Sequence, residues 1–173
     1  MNDLNAAIAD NHKAVDEFTA TARAIDAAGW SLPRAEGKWS PAQLVEHIAL
    51  TYEYSRAVLN NNAPGPSAPR FLRPLVRIFF VNPVLKHGRF KPNAKAPSMF
   101  QPSSAPGDAR ELLPRLETAV RVFEDDVRAA GASGRSTLDH PFFGTMPVAD
   151  YLRLQAIHAR HHRAQLPGAA ATV

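Results

Sequence analysis

Trp39-Ser40-Pro41-Ala42-Gln43-Leu44-Val45-Glu46-His47-Ile48 announces a helix and soon interrupts the pattern it sets up. A serine N-cap accepts from the backbone just inside the helix. Proline at the first helical position gives up an N–H that has no partner there anyway, and glutamine at the third closes a capping box. The helix so started is expected to run to about Asn61, with Leu44, His47, Ile48, Thr51, Tyr52, Ser55, Val58 and Leu59 on one stripe. His47 stands on that stripe among residues that should be buried. A buried imidazole left unpaired costs roughly 1–3 kcal/mol, so the stretch predicts a helix and asks what His47 binds.

Upstream, Leu4, Ile8, Asn11, Val15, Phe18, Ala22 and Ile25 recur at alternating spacings of four and three. That is one face of a helix over 3–28, with Gly29 in the place of a C-cap glycine. Downstream, Asp108-x-x-Glu111 opens another helix, with the stripe Leu112, Leu116, Val120, Phe123 and Val127 and an end near Gly131. Pro114 asks for a kink or a later start there. A loop with His140-Pro141-Phe142-Phe143-Gly144 leads to a last helix after Pro147. Val148, Tyr151, Leu152, Gln155, His158, His162 and Leu166 face inward on it. No stretch alternates as a strand does. Four such helices predict an all-α four-helix bundle, antiparallel or nearly so, forming a single domain over 1–173.

Residues 63–107 stand apart. They hold seven basic residues (Arg70, Arg73, Arg77, Lys86, Arg89, Lys91, Lys95), no acidic one, and nine of the fifteen prolines. The chain's net charge of +4 therefore belongs to this segment. A short amphipathic helix is expected over Phe71–Val81, interrupted by Pro74 and ended before Pro83. One reading is a lid-like insertion that packs its aromatics over the bundle and a pocket mouth. Another is binding of anionic lipid or nucleic acid through 70–95, since Phe71, Leu72, Leu75, Ile78, Phe79 and Phe80 beside Arg70, Arg73 and Arg77 suit an interfacial helix. The prolines and the domain's size favour the lid, with no nucleic-acid partner.

The chain has no cysteine, which excludes disulfides, thiolate metal sites, iron–sulfur clusters and cysteine nucleophiles. No apolar run approaches the ~18 residues of a membrane span. Met1-Asn2-Asp3-Leu4 has no basic n-region, so a cytoplasmic location is expected. No phosphate-binding glycine loop, Ser/His/Asp order or HExxH is present, and Glu46 should face away from His47. An obvious general base is therefore missing, and no catalytic residue is assigned.

What remains is histidine. His158 and His162, four apart on a helix, project to one side, whereas His161 points elsewhere. Together with His47 they interrupt two stripes that would otherwise be apolar. A divalent metal would satisfy all three imidazoles at once, but spacing alone leaves open that each is an ordinary satisfied histidine. Gln155 and Gln165 could support such a centre, Asn11, Thr51, Ser55 and Tyr151 could line a pocket beneath it, and His140 could approach it or simply cap its loop.

Two motifs bear on the choice. Trp39-Ser40 through His47 resembles the opening of helix two in DinB/YfiT-like proteins, where a Trp-Ser-x-x-x-x-x-x-His pattern ends in a metal ligand. His158-Ala159-Arg160-His161-His162-Arg163-Ala164-Gln165 is similar to that superfamily's His-x-x-His-His-x-x-Gln ending, and His140-Pro141-Phe142-Phe143-Gly144 resembles the loop of one branch. The resemblance implies a DinB-like bundle with His47, His158 and His162 as metal ligands. It also implies open coordination positions as in catalytic sites; zinc is the ion expected first, with nickel or iron as alternatives. It further implies a hydrolase or thiol transferase acting on a small molecule, the latter with a low-molecular-weight thiol such as bacillithiol or mycothiol. A homodimer is expected on the same ground. A non-catalytic metal or small-ligand binding bundle is the alternative.

Overall fold

The structure, a computed structural model, describes residues 2–91 and 96–169; Lys95 of the basic segment lies outside them. In chain order the helices are α1 (Asn2–Arg23), the single turn α2 (Ala27–Trp30), α3 (Pro41–Leu59), α4 (Arg73–Val76), α5 (Asn82–His87), α6 (Ala109–Ala132) and α7 (Val148–Arg163). A π-helical turn, Arg77–Val81, joins α4 to α5, and a 3₁₀ turn, Ser98–Phe100, precedes α6. The strands β1 (Thr137–His140) and β2 (Gly144–Pro147) form an antiparallel hairpin with Leu138 opposite Met146 and His140 opposite Gly144.

The capping box forms as expected. Gln43 N donates to Ser40 Oγ at 3.3 Å and Ser40 N donates to Gln43 Oε1 at 3.0 Å. The first helix is shorter than its stripe suggested, because Asp26 starts α2 instead of extending α1: its carboxylate accepts from Gly29 N at 2.7 Å. Short polar side chains compete with the helix in this way, so Gly29 lies inside a turn and does not end α1. α6 runs unbroken through Pro114. Pro114 and Arg110 both lie on the exposed face, where the carbonyl that loses its partner can meet water.

Side-chain pairs fix the helix directions. Asp3 pairs with Arg153, Asp10 with Arg160 and Glu17 with Arg163, so α1 and α7 run parallel. Glu53 pairs with Arg115 and Arg56 with Asp126, so α3 and α6 are parallel too. Asn11 meets Glu124 while Arg23 meets Glu117, which sets α1 against α6 in opposite senses. The bundle is thus up-down-down-up and not antiparallel throughout. Stripes of apolar residues carry no direction, which is why the sequence reading missed this. The consequence is geometric: the 19-residue α3 is about 28 Å long, and the chain must climb that distance again before α6 can start. Residues 63–107 make the return.

The core beneath is apolar and continuous, with Phe18, Leu44, Ile48, Tyr52, Leu116, Phe123 and Leu152 fully buried. One carboxylate shares it. Glu124 accepts from Asn11 Nδ2 at 2.8 Å, Asn11 Oδ1 accepts from Tyr52 OH at 2.6 Å, and His12 and Arg128 lie at the carboxylate's outer side.

The returning segment differs from expectation in two ways. Pro83 does not end the helix, because the π turn before it widens the backbone; Asn82 N–H reaches back five residues to the Arg77 carbonyl. A wider turn relieves the contact between a proline ring and the carbonyl four residues earlier. The helical run continues to Gly88, which caps it with a φ of 64°. Of the aromatics of 71–80 only Phe80 packs inward, against Phe90 and Phe143. Val81 and Val84 are buried instead, Phe90 and Phe100 pack against the core, and Phe71 and Phe79 face solvent. Among the described residues no helix is long and apolar enough to cross a membrane.

Candidate metal centre

His47 comes from the second turn of α3, and His158 and His162 from the last two turns of α7, which runs the opposite way beside it. Because the two helices oppose, the start of one and the end of the other share one end of the bundle. There the three Nε2 atoms converge. Those of His47 and His158 stand 3.1 Å apart, those of His162 and His158 3.0 Å, and one ligand atom from each of the three lies within 4.8 Å of the others. Two nitrogens bound to one tetrahedral zinc at its usual bond length stand ~3.3 Å apart.

Hydrogen bonding alone cannot satisfy this arrangement well. A neutral imidazole Nε2 offers one proton or one lone pair, yet that of His158 faces two like atoms. A divalent cation meets all three lone pairs together, so the donor set fits a metal. Each ring is also held neutral. Burial pushes His158 and His162 well below the ordinary histidine value, and neighbouring histidines push them further. Burial lowers His47 too, partly opposed by its bond to Phe100.

That bond orients the ring. His47 Nδ1–H donates to the Phe100 carbonyl at 2.6 Å, fixing the tautomer that turns Nε2 inward. Trp39 lies against His47 and stacks over His162, with ring centroids 4.7 and 6.1 Å away. Phe90 covers His158 at 5.3 Å and His161 at 5.6 Å. So the excursion between α3 and α6 supplies both a positioning carbonyl and an apolar cover. His162 Nδ1 is buried with no hydrogen-bond partner among the described residues.

The other candidates sort themselves by distance from this centre. His161 turns away and its ring accepts from Gln165 Nε2 at 2.9 Å. Gln155 Nε2 donates to Ser55 Oγ at 2.9 Å, where Tyr151 OH also bonds at 3.0 Å, and Ser55 in turn donates to Thr51 O at 2.6 Å. The Thr51 hydroxyl is taken up by Ile48 O at 2.8 Å, and Asn11 belongs to the Glu124 network. Glu46 does face away, accepting from Ser103 N at 2.8 Å. His140 caps its own loop: Nδ1 accepts from Phe142 N at 3.1 Å and the ring stacks on Phe143 at 4.1 Å. Burial and the nearby Arg73 push its value down to about 3. The triad, and no other histidine among the described residues, gathers as a ligand set.

Sequence reading missed the Phe100 carbonyl, the Phe90 cover and the hairpin that seats His140. A carbonyl leaves no side-chain signature, and Phe90 and Phe100 lie in the proline-rich stretch where no periodicity predicts a contact. The hairpin's strands are four residues each, and the alternating burial of Leu138, His140, Gly144 and Met146 is too short to register as a pattern.

Comparison with known proteins agrees with the architecture. The family description that matches residues 11–166 is that of the DinB superfamily. Among solved structures, YfiT from Bacillus subtilis superposes with a TM-score of 0.57 at 14% identity, covering 94% of this chain and 82% of that one. YfiT is described as a probable metal-dependent hydrolase with an unusual four-helix bundle topology. A comparison with curated proteins finds no match.

Proposed function

Because the chain belongs to the DinB superfamily, we propose that it is a metal-dependent enzyme, a hydrolase or thiol transferase acting on a small molecule, with His47, His158 and His162 as the ligands. The observation that carries this is the convergence, from opposed helices, of three neutral Nε2 atoms, those of the buried His47 and His162 and the half-buried His158. The likeness to YfiT, itself described as a probable metal-dependent hydrolase, adds support for the reaction class.

Three histidine ligands leave coordination positions free, the pattern of catalytic zinc. The bound ion would supply Lewis-acid activation of a water, thiol or carbonyl. The chain's own residues do the rest. Phe100 holds the His47 ring in register. Trp39 and Phe90 keep bulk water from the histidines, which strengthens every electrostatic interaction inside. We read 1–173 as one domain and 63–107 as its inserted segment, in which Phe90 and Phe100 serve as the lid. Zinc is the favoured ion and nickel or iron the alternatives; a low-molecular-weight thiol is the favoured cosubstrate of the transferase reading.

A non-catalytic metal-binding bundle is the second reading, favoured by one observation: the ligand set among the described residues contains no carboxylate, and Glu46 is committed to Ser103. Turnover separates the two. The zinc-loaded protein is assayed against ester and amide panels and against thiols paired with electrophiles, beside the chelator-treated protein and His158→Ala. The enzyme reading expects turnover that chelation and His158→Ala both abolish. A fully loaded protein inert across these panels would favour the binding reading.

A further inference from the structure

The face of the α4–α5 run that points away from the bundle is apolar and uncovered. Phe71 and Phe79 are 78% and 73% exposed, Ile78 and Leu75 49% and 47%. Exposed leucines are commonplace, but two phenylalanines this open, one in the turn just before α4 and one in the π turn after it, with two further large apolar side chains, form a patch of the kind that marks a docking surface. The run is not loosely attached. Arg73 donates to Ala68 O at 2.9 Å and pairs with Asp139 at 3.2 Å, and Arg77 Nη1 donates to the Thr145 carbonyl. With Val81 and Val84 buried on the other side, these bonds to the hairpin fix which face looks outward.

The segment's own charges beside the patch are of one sign. Arg70 precedes it, and Lys86, Arg89 and Lys91 follow it; all four are exposed and make no ion pair among the described residues. No Asp or Glu occurs anywhere in 63–107. We propose that this face is a peripheral docking site for an anionic lipid bilayer, with Phe71, Leu75, Ile78 and Phe79 inserted at the headgroup boundary and Arg70, Lys86, Arg89 and Lys91 against the lipid phosphates.

The two obvious competitors suit the face less well. A second copy of the chain, paired through this face about a twofold axis, sets the same cations against each other with no acid in the segment to neutralise them. Duplex nucleic acid satisfies the cations but presses the phenylalanines onto phosphates and offers them nothing apolar. An anionic bilayer meets both halves of the patch, as an interfacial amphipathic helix requires.

The test is co-sedimentation of the full-length chain, at about 0.1 M salt, with vesicles of phosphatidylcholine alone and of phosphatidylcholine with one-quarter phosphatidylglycerol. Binding is expected to the anionic vesicles, at least tenfold weaker to the neutral ones, and weaker again as salt rises. Each cation near such a surface contributes roughly fivefold, so Arg70→Glu/Lys86→Glu/Arg89→Glu should lower the affinity on the order of a hundredfold or more. Phe71→Ser/Phe79→Ser should lower it at least tenfold with every charge in place. All five residues are exposed, so both variants should keep the wild-type melting temperature, and that is measured alongside. Three results overturn the proposal: no binding to anionic vesicles up to millimolar lipid, equal binding to both vesicle types, or tighter binding to a DNA duplex than to lipid. A stable dimer in sedimentation equilibrium that Phe79→Ser dissociates would also overturn it by giving the face to self-association.

Discussion

Two regions of this molecule invert the usual partition of residues, and in opposite directions. At one end of the bundle three imidazoles converge, two of them buried and one half-buried, at a site where burial and their mutual proximity keep them uncharged. On the outer face of the α4–α5 run, phenylalanines that could have been buried stand in water. Each arrangement is unfavourable for the isolated chain, by the cost of desolvating polar groups in the first case and of exposing apolar ones in the second. Departures of this kind collect where a partner completes the structure. The partners they call for differ: a cation at the inner region, an anionic surface at the outer.

The largest effect should come from breaking the inner region. His158→Ala removes the nitrogen that faces both others, and metal affinity should fall by more than ~100-fold, since even an outer supporting partner is worth roughly 10–100-fold. Zinc titration against a competing chelator reads this directly. A comparison within one residue type sharpens the contrast. Phe123, fully buried, should cost ~3–5 kcal/mol when changed to alanine, whereas Phe79→Ala should stay within ~0.5 kcal/mol. Urea denaturation of the two variants measures both.

Acid should find the inner region as well. His47, His140, His158 and His162 all have folded-state values below the ordinary one, so the unfolded chain takes up protons first as pH falls. Their contribution to stability is complete above about pH 6.5 and is lost below it, by about 1.4 kcal/mol per pH unit for each histidine, until the folded form itself titrates. For His140 that window closes at about 3. The metal-free protein's denaturation midpoint should therefore be flat from pH 8 to ~6.5 and decline beneath, and His140→Gln should shallow the decline by one histidine's share. The smallest effect belongs to His161→Ala. Its ring is bonded to Gln165 and lies outside the ligand set, so zinc affinity should change by less than ~3-fold.

Much of this contrast was legible in the sequence, because it rests on periodicity. An i, i+4 pair and a capping box place His158, His162 and His47 on inward stripes without reference to any neighbour. What stayed hidden depends on tertiary choices. The stripes of α3 and α6 look the same whether the helices run parallel or opposed, so only the ion pairs of Glu53 and Arg56 reveal the direction. Phe100 contributes a carbonyl, which any residue has. The phenylalanines of 71–80 satisfy a helical pattern equally well facing in or out. The Arg73 and Arg77 bonds to the hairpin decide that, and they could not be foreseen while the hairpin itself was read as a loop.

The central claim is that His47, 111 residues before His158 in the chain, completes one metal site with the pair on α7. Metal content per chain, measured by elemental analysis of wild-type and His47→Ala protein after equilibration with limiting zinc and gel filtration, tests it most directly. The account predicts close to one ion per wild-type chain and less than about one-tenth in the variant, with the helical circular dichroism of both unchanged. Full occupancy in His47→Ala, or a wild-type chain that holds no metal, would contradict it.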